Sequence, residues 1–216
     1  MKNKRFWIAL ALCFIPYIIG LAFYHQLPDP MPSHWNIAGE VDGYMAKNLF
    51  LFGMPTFMIL IFIVCVFATK ADPKSENIPP LMMNLVYAIV PILSNVMYVL
   101  CINAALPNGL NISISSVLPA LLGIMFIVIG NYLPKCKQSY TVGIRTPWTL
   151  DDHEIWNRTH RLGGFVFMFM GVVMLCTCFL PEKLILIIEL PIIFISTLVP
   201  IVYSYVLYKK KCKGNK

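Results

Sequence analysis

Four side chains able to hold a metal or move a proton lie near the start of the chain: His25, His34, Glu40 and Asp42. Imidazole and carboxylate both ligate zinc, but this spacing matches no ligand signature, so no metal is expected. A second group, Asp152, His153 and His160, falls within the stretch GIRTPWTLDDHEIWNRTHR (143–161). An Asp–His pair there could serve acid–base catalysis. Yet no nucleophile with an oriented base can be read, and neither a phosphate loop nor H-E-x-x-H occurs. The chain is therefore not expected to be an enzyme or to carry a cofactor. What the first segment offers is recognition chemistry. His34, Trp35 and Tyr44 give stacking surfaces for a peptide or lipid, and Asp29, Glu40 and Asp42 present negative charge to a cationic partner.

The elements that must position these groups are set by composition. Of 216 residues, 58% are hydrophobic and 12% charged, against about a quarter charged in soluble domains, and the mean hydropathy is +0.73. Six apolar runs, about 6–24, 49–69, 81–103, 112–133, 163–180 and 184–208, are each long enough to cross a hydrocarbon core about 30 Å thick. The run FLFGMPTFMILIFIVCVF (50–67) is apolar all round, which suits lipid rather than a soluble bundle. The first run follows a basic Lys2, Lys4, Arg5 start but exceeds an ordinary signal-peptide core and has no A-x-A site, so a retained helix is expected. Leu12 before Cys13 argues against lipoprotein processing.

Of the 17 Lys and Arg, only Lys47 and Lys183 fall outside if the N-terminus is inside. The sequence therefore predicts an all-α polytopic membrane protein with six transmembrane helices, N-in and C-in. The net charge of +7 needs no nucleic acid; it reflects the positive-inside bias and attraction to anionic lipid. The bilayer is the first partner implied. Cys13, Cys65, Cys101, Cys176 and Cys178 sit in spans and Cys136 and Cys212 on the cytoplasmic side, which predicts packing residues rather than a disulfide framework.

The expected organisation is a two-helix unit, 1–69, with an outer loop at 25–48; a four-helix unit, 81–208, with a cytoplasmic loop at 134–162; and a basic tail, 209–216. The link Pro181-Glu182-Lys183 is tight enough to force the last two spans into an antiparallel pair. Pro16, Pro55, Pro91, Pro119, Pro191 and Pro200 lie inside spans, where each removes a backbone hydrogen bond and can kink its helix. In the outer loop the prolines favour extended chain, and Ala38-Gly39 and Asp42-Gly43 read as turns. In the cytoplasmic loop Thr149 reads as the cap of a short interfacial helix, about 150–161, with Asp152 completing a capping box and Gly163-Gly164 bending into span five. Upstream, the stretch from Gly143 leaves no room for a helix before Pro147. Arg145 could bind a carboxylate, a lipid phosphate or carbonyls of its own bundle. Glu189 is the one carboxylate inside the spans, and such acids are functional by default; its shallow depth lets it reach the outer interface. Asn84, Ser94, Asn95 and Asn131 could bond between helices.

Two motifs resemble a known family. PMPSHWNIAGEVDGYMAKN resembles an N-terminal domain often fused in the SdpI family of bacterial membrane proteins, and the stretch from Gly130-Asn131 through GIRTPWTL and WNRTHRLGG resembles the SdpI family itself. Carried over by position, the first pattern falls on Pro32, His34, Trp35, Asn36, Gly39, Asp42, Gly43 and Tyr44. The second falls on Asn131, Gly143, Arg145, Thr146, Pro147, Trp148, Thr149, Trp156, His160, Arg161 and Gly164. The resemblance implies a plasma-membrane protein giving immunity to a secreted toxic peptide, and a signal receptor that holds a cytoplasmic transcriptional repressor at the membrane. The competing expectation is a small transporter or ion-conducting protein that uses Glu189 and the proline-kinked helices.

Overall fold

Long apolar runs in lipid leave helix as the way to satisfy every backbone group within the segment, and helices dominate the chain. A computed structural model describes residues 2–36, 40–110 and 112–214. Its helices are α1 (Lys2–Cys13), α2 (Ile15–Phe23), α3 (Met54–Ala71), α4 (Pro80–Ala105), α5 (Ile114–Tyr132), α6 (Pro147–Asp151), α7 (His153–Thr177) and α8 (Glu182–Gly214). A π-helical turn, Leu49–Gly53, leads into α3. Among the described residues six helical segments are long and apolar enough to cross a membrane: Lys4–Phe23, Leu49–Ala71, Pro80–Ala105, Ile114–Lys135, His153–Thr177 and Glu182–Lys213. The departure from an all-helical chain is a small antiparallel sheet, β1 (Met31–Trp35) and β2 (Val41–Met45).

The chain forms two compact units, Met1–Phe67 with Asn84–Val117, and Ala68–Met83 with Leu118–Lys216. In the first, the directions of the helices follow from their contacts. α1–α2 runs antiparallel to the Leu49–Ala71 segment: Phe6 stacks on Phe62 at one end, and Tyr24 donates to Asn48 at the other. α4 runs parallel to α1, with Arg5 bonded to Asn84 and Leu12 to Asn95.

The span prolines explain why α4 carries polar side chains in lipid. Pro16 cannot donate to the carbonyl four residues back, that of Leu12, and the Asn95 amide donates to that carbonyl at 3.0 Å. Pro55 likewise leaves the Leu51 carbonyl, which accepts from the Tyr98 hydroxyl at 3.4 Å. Neighbouring side chains thus complete the broken ladders. Tyr98 is also part of a core of Leu27, Met31, Phe50, Leu51, Cys101 and Ile102.

In the second unit α5, α7 and α8 alternate in direction. Gly123 faces Gly171 and Gly130 faces Gly164, so α5 and α7 cross antiparallel at backbone contact. A Cβ on Gly130 would stand 2.7 Å from the Gly164 carbonyl oxygen, and one on Gly164 2.7 Å from that of Gly130. Small residues permit such approach between membrane helices. α7 and α8 pair antiparallel across the short link after Thr177, as the Pro181-Glu182-Lys183 link predicted; Thr177 meets Glu189 at the near end and Asp152 meets Lys211 at the far end.

Candidate functional site

The first candidate is the β-hairpin. Met31 is fully buried in the core just described and fixes the base of β1. Lys47 ties the other side of the base, donating its ammonium to the Leu27 carbonyl at 2.8 Å and its N–H to Asp29 at 3.1 Å. Pro32 pairs with Tyr44 in the ladder, where its missing N–H is tolerated because both strands of a two-stranded sheet are edges. The register slips on either side of His34, which lies opposite Gly43.

His34 and Tyr44 point outward: the His34 side chain is 72% exposed and Tyr44 63%. Trp35 is half-buried against the core. Asp29, Glu40 and Asp42 are engaged charges rather than loose ones. Asp29 receives the Lys47 N–H, Asp42 sits 2.5 Å from His34 Nδ1, and Glu40 accepts from the Asn36 amide at 3.3 Å. The Asp42-Gly43 turn is also corrected: both residues lie within β2, because Gly43 must pair across from His34. Gly39 lies outside the described residues. No group of three or more His, Cys, Asp and Glu able to hold a metal occurs among the described residues, and His25 and His34 are not brought together with the carboxylates into one.

The second candidate is the 143–161 segment with its surroundings in the second unit. Its centre is the pair Trp156 and His160, both fully buried on one face of α7 and stacked with ring centroids 3.9 Å apart. Trp156 Nε1–H donates to the Cys136 carbonyl at 2.8 Å. His160 Nδ1 faces the Trp156 carbonyl and Nε2 faces the Ile144 N–H, at 2.8 and 2.9 Å. The carbonyl can only accept and the N–H can only donate, so these contacts select the neutral imidazole protonated at Nδ1. Gly143 passes directly over these rings at φ 122, where a side chain would be strained and would strike both His160 and Trp156.

Two helix starts replace the single one expected at Leu150. Thr146 caps α6 in a reciprocal box with Thr149, and Pro147 occupies the first turn, where its missing N–H costs nothing. Asp152 then caps α7, accepting from the N–H groups of Glu154 and Ile155 at 2.8 and 3.0 Å. The 150–161 helix is thus divided at Asp152, and its later part continues through Gly163-Gly164 into the span without a separate interfacial helix. The Lys211 ammonium and the two amides hold the Asp152 carboxyl below its ordinary range. Trp148 projects the other way, donating Nε1–H to Ser204 at 2.6 Å beside Tyr205 and Tyr208.

Of the remaining predicted residues, Asn131, Arg145, Pro147 and Arg161 are exposed. Arg145 donates to the Tyr140 carbonyl at 2.6 Å, the reading in which it braces its own bundle. Sequence reasoning missed Asp72 and Gln138. Asp72, 4% exposed, accepts from the N–H groups of Lys74, Tyr140 and Thr141 and from the Thr141 hydroxyl. Burial raises its pKa, but these bonds outweigh burial and hold the carboxyl below the usual range. Gln138 receives the Lys74 ammonium and donates to the carbonyls of Thr149 and Leu150. The position of Asp72 between two spans was visible in the sequence; partners some 70 positions away were not. Burial pushes the neighbouring Cys136 thiol up to about 11, which keeps it protonated at neutral pH. Glu189 lies apart from this cluster, 6% exposed, accepting from Thr177 at 2.7 Å rather than reaching an interface as its depth suggested.

Residues 135–204 match the SdpI/YfhL protein family, and residues 11–59 match a "Domain of unknown function (DUF1648)". The whole chain is similar to the Immunity protein SdpI of Bacillus subtilis (strain 168), 23% identical over 209 residues, which cover 96% of this chain and 97% of that protein. No solved structure matches the chain.

Proposed function

We propose that this chain, a multi-pass cell-membrane protein of the SdpI family, is an immunity protein that protects its cell against a secreted, membrane-active toxic peptide. The observation that carries this reading is similarity to an immunity protein along almost the entire length of both chains, hairpin and 143–161 segment included. The distribution of Lys and Arg favours the N-in, C-in orientation, with the hairpin outside, where a secreted peptide arrives. There His34, Trp35 and Tyr44 offer aromatic surface, and Pro32, Asn36, Asp42 and Gly43 shape it. A peptide carrying both apolar and cationic groups matches those rings and the nearby carboxylates.

The finer reading adds signalling. Occupancy of the hairpin would shift the bundle between two arrangements, and the 134–162 segment would report the shift to a cytoplasmic repressor. Arg145 and Arg161, exposed and basic, are the side chains of that motif available to such a partner. The test is expression of the chain in a sensitive bacterial host, challenged with secreted peptides from related and neighbouring strains. Protection against one of them, lost in Trp35→Ala and Tyr44→Ala proteins that still reach the membrane, supports the reading. A host no better protected against any of them sinks it. Maleimide labelling of Tyr44→Cys and Arg145→Cys variants tests the orientation; both reacting from the same side overturns it.

A further inference from the structure

We propose that the groove between α1 and α4 in the first unit is a binding site for one anionic phospholipid, with the phosphate at Arg5 and an acyl chain along the trough beyond it. The groove is open along its side and has a volume of about 310 Å³. Arg5 and Asn84 form its polar end, and Ile8, Ala9, Leu12 and Ala88 line its apolar length. Residues 5, 8, 9 and 12 recur at helical spacing and so make one face of α1. Ala9 on one wall and Ala88 on the other leave the trough open where larger side chains would close it.

Its polarity follows the bilayer. Arg5 stands at the start of the Lys4–Phe23 span, at headgroup depth, and the trough runs inward from there to Leu12. The guanidinium is exposed and donates one N–H to Asn84 at 2.6 Å. That contact orients the fork and leaves further donors to meet a phosphate. Lys4 adds a second positive charge on the same turn. The acidic residues of this unit, Asp29, Glu40 and Asp42, all belong to the hairpin segment, beyond the opposite end of α2. A cationic mouth on an apolar, lipid-facing trough selects an anionic phospholipid over a zwitterionic one.

Full-length protein purified in detergent would be examined by native mass spectrometry with equal amounts of dioleoyl phosphatidylglycerol and dioleoyl phosphatidylcholine. The expected result is preferential retention of one phosphatidylglycerol. Arg5→Gln should weaken that retention about fivefold, the change expected for one cationic side chain near an anionic lipid. Arg5→Lys should keep most of it, and Ala88→Phe, which fills the trough, should lose it. Should Arg5→Gln not fold, the Arg5→Lys and Ala88→Phe proteins decide. Equal retention of the two lipids by the unaltered protein overturns the site. So does a preference untouched by Ala88→Phe but lost when Lys209, Lys210 and Lys211 are neutralised, because the lipid would then be held by the basic end of α8.

Discussion

The hairpin and the 143–161 segment are both dense in aromatic, charged and histidine residues, but the protein treats them in opposite ways. In the hairpin, His34 and Tyr44 face outward, while Met31 and the partly buried Trp35 and Met45 pack on the core. In the 143–161 segment Trp156, His160, Thr149 and Thr159 are fully buried, and the side chains left exposed are mainly charged ones on the rim. Similar composition therefore serves presentation in one place and construction in the other. The deciding quantity is whether backbone groups must be satisfied. A two-stranded ladder bonds itself, whereas the irregular chain from 136 to 146 has no ladder and draws its partners from Asp72, Asn77, Trp156 and His160.

The largest test of that contrast is truncation at each centre. Trp156→Ala or His160→Ala should cost about 3–5 kcal/mol, through the cavity and the orphaned Cys136 carbonyl or Ile144 N–H. Tyr44→Ala should cost under about 1 kcal/mol. Thermal unfolding of the detergent-solubilised protein measures both; equal losses would erase the distinction. Next, Gly164→Ala or Gly130→Ala pushes a methyl toward a carbonyl on the facing helix and should cost about 1–3 kcal/mol. Unchanged melting in both variants would show that α5 and α7 are not held at backbone contact.

A pH dependence sharpens the picture of the braced segment. Asp72 has a lowered folded pKa, so its contribution is present above the ordinary carboxylate value of about 4 and is lost as pH falls through the lower folded value. Between pH 7 and pH 3 the unaltered protein should therefore lose more stability than Asp72→Asn. The same loss in both would remove Asp72 from the account. The smallest effect is expected for Glu189→Gln: the amide keeps a bond to Thr177, and stability should move by less than about 1 kcal/mol with protection against the peptide unchanged. Abolished protection with the protein still in the membrane would favour ion conduction through Glu189 instead.

Much of this architecture was legible in the chain. The six spans follow from run length, and their ends fall within a few residues of expectation except for the fifth. There the sequence reads a separate interfacial helix, about 150–161, but Ile155, Trp156, Thr159 and His160 share a face that packs inward, so the spanning helix itself begins at His153, ten residues earlier than its apolar run. Asn84 and Asn95 were recognisable as interhelical partners. Which group each would meet was not, because the Leu12 carbonyl that Asn95 satisfies is free only through Pro16 on a helix distant in sequence. In the outer segment the prolines indicated extended chain, yet the pairing of Pro32 with Tyr44 needed the fold to bring them together. The glycine pairs 123/171 and 130/164 left a trace, a seven-residue spacing on each of two spans, which becomes meaningful only once those spans are neighbours.

Hydropathy, charge distribution and cap residues are properties of neighbouring positions. From them the sequence alone determined that the chain belongs in a membrane, how many of its helices can cross, and where its polar segments lie. Whether a given histidine or carboxylate is displayed or enclosed depends on groups far along the chain. Asp72 and Tyr140, or Asn77 and Gln138, meet only because backbone without a ladder of its own must find partners away from water. That choice belongs to the tertiary structure, and it separates the exposed hairpin from the enclosed Trp156–His160 centre.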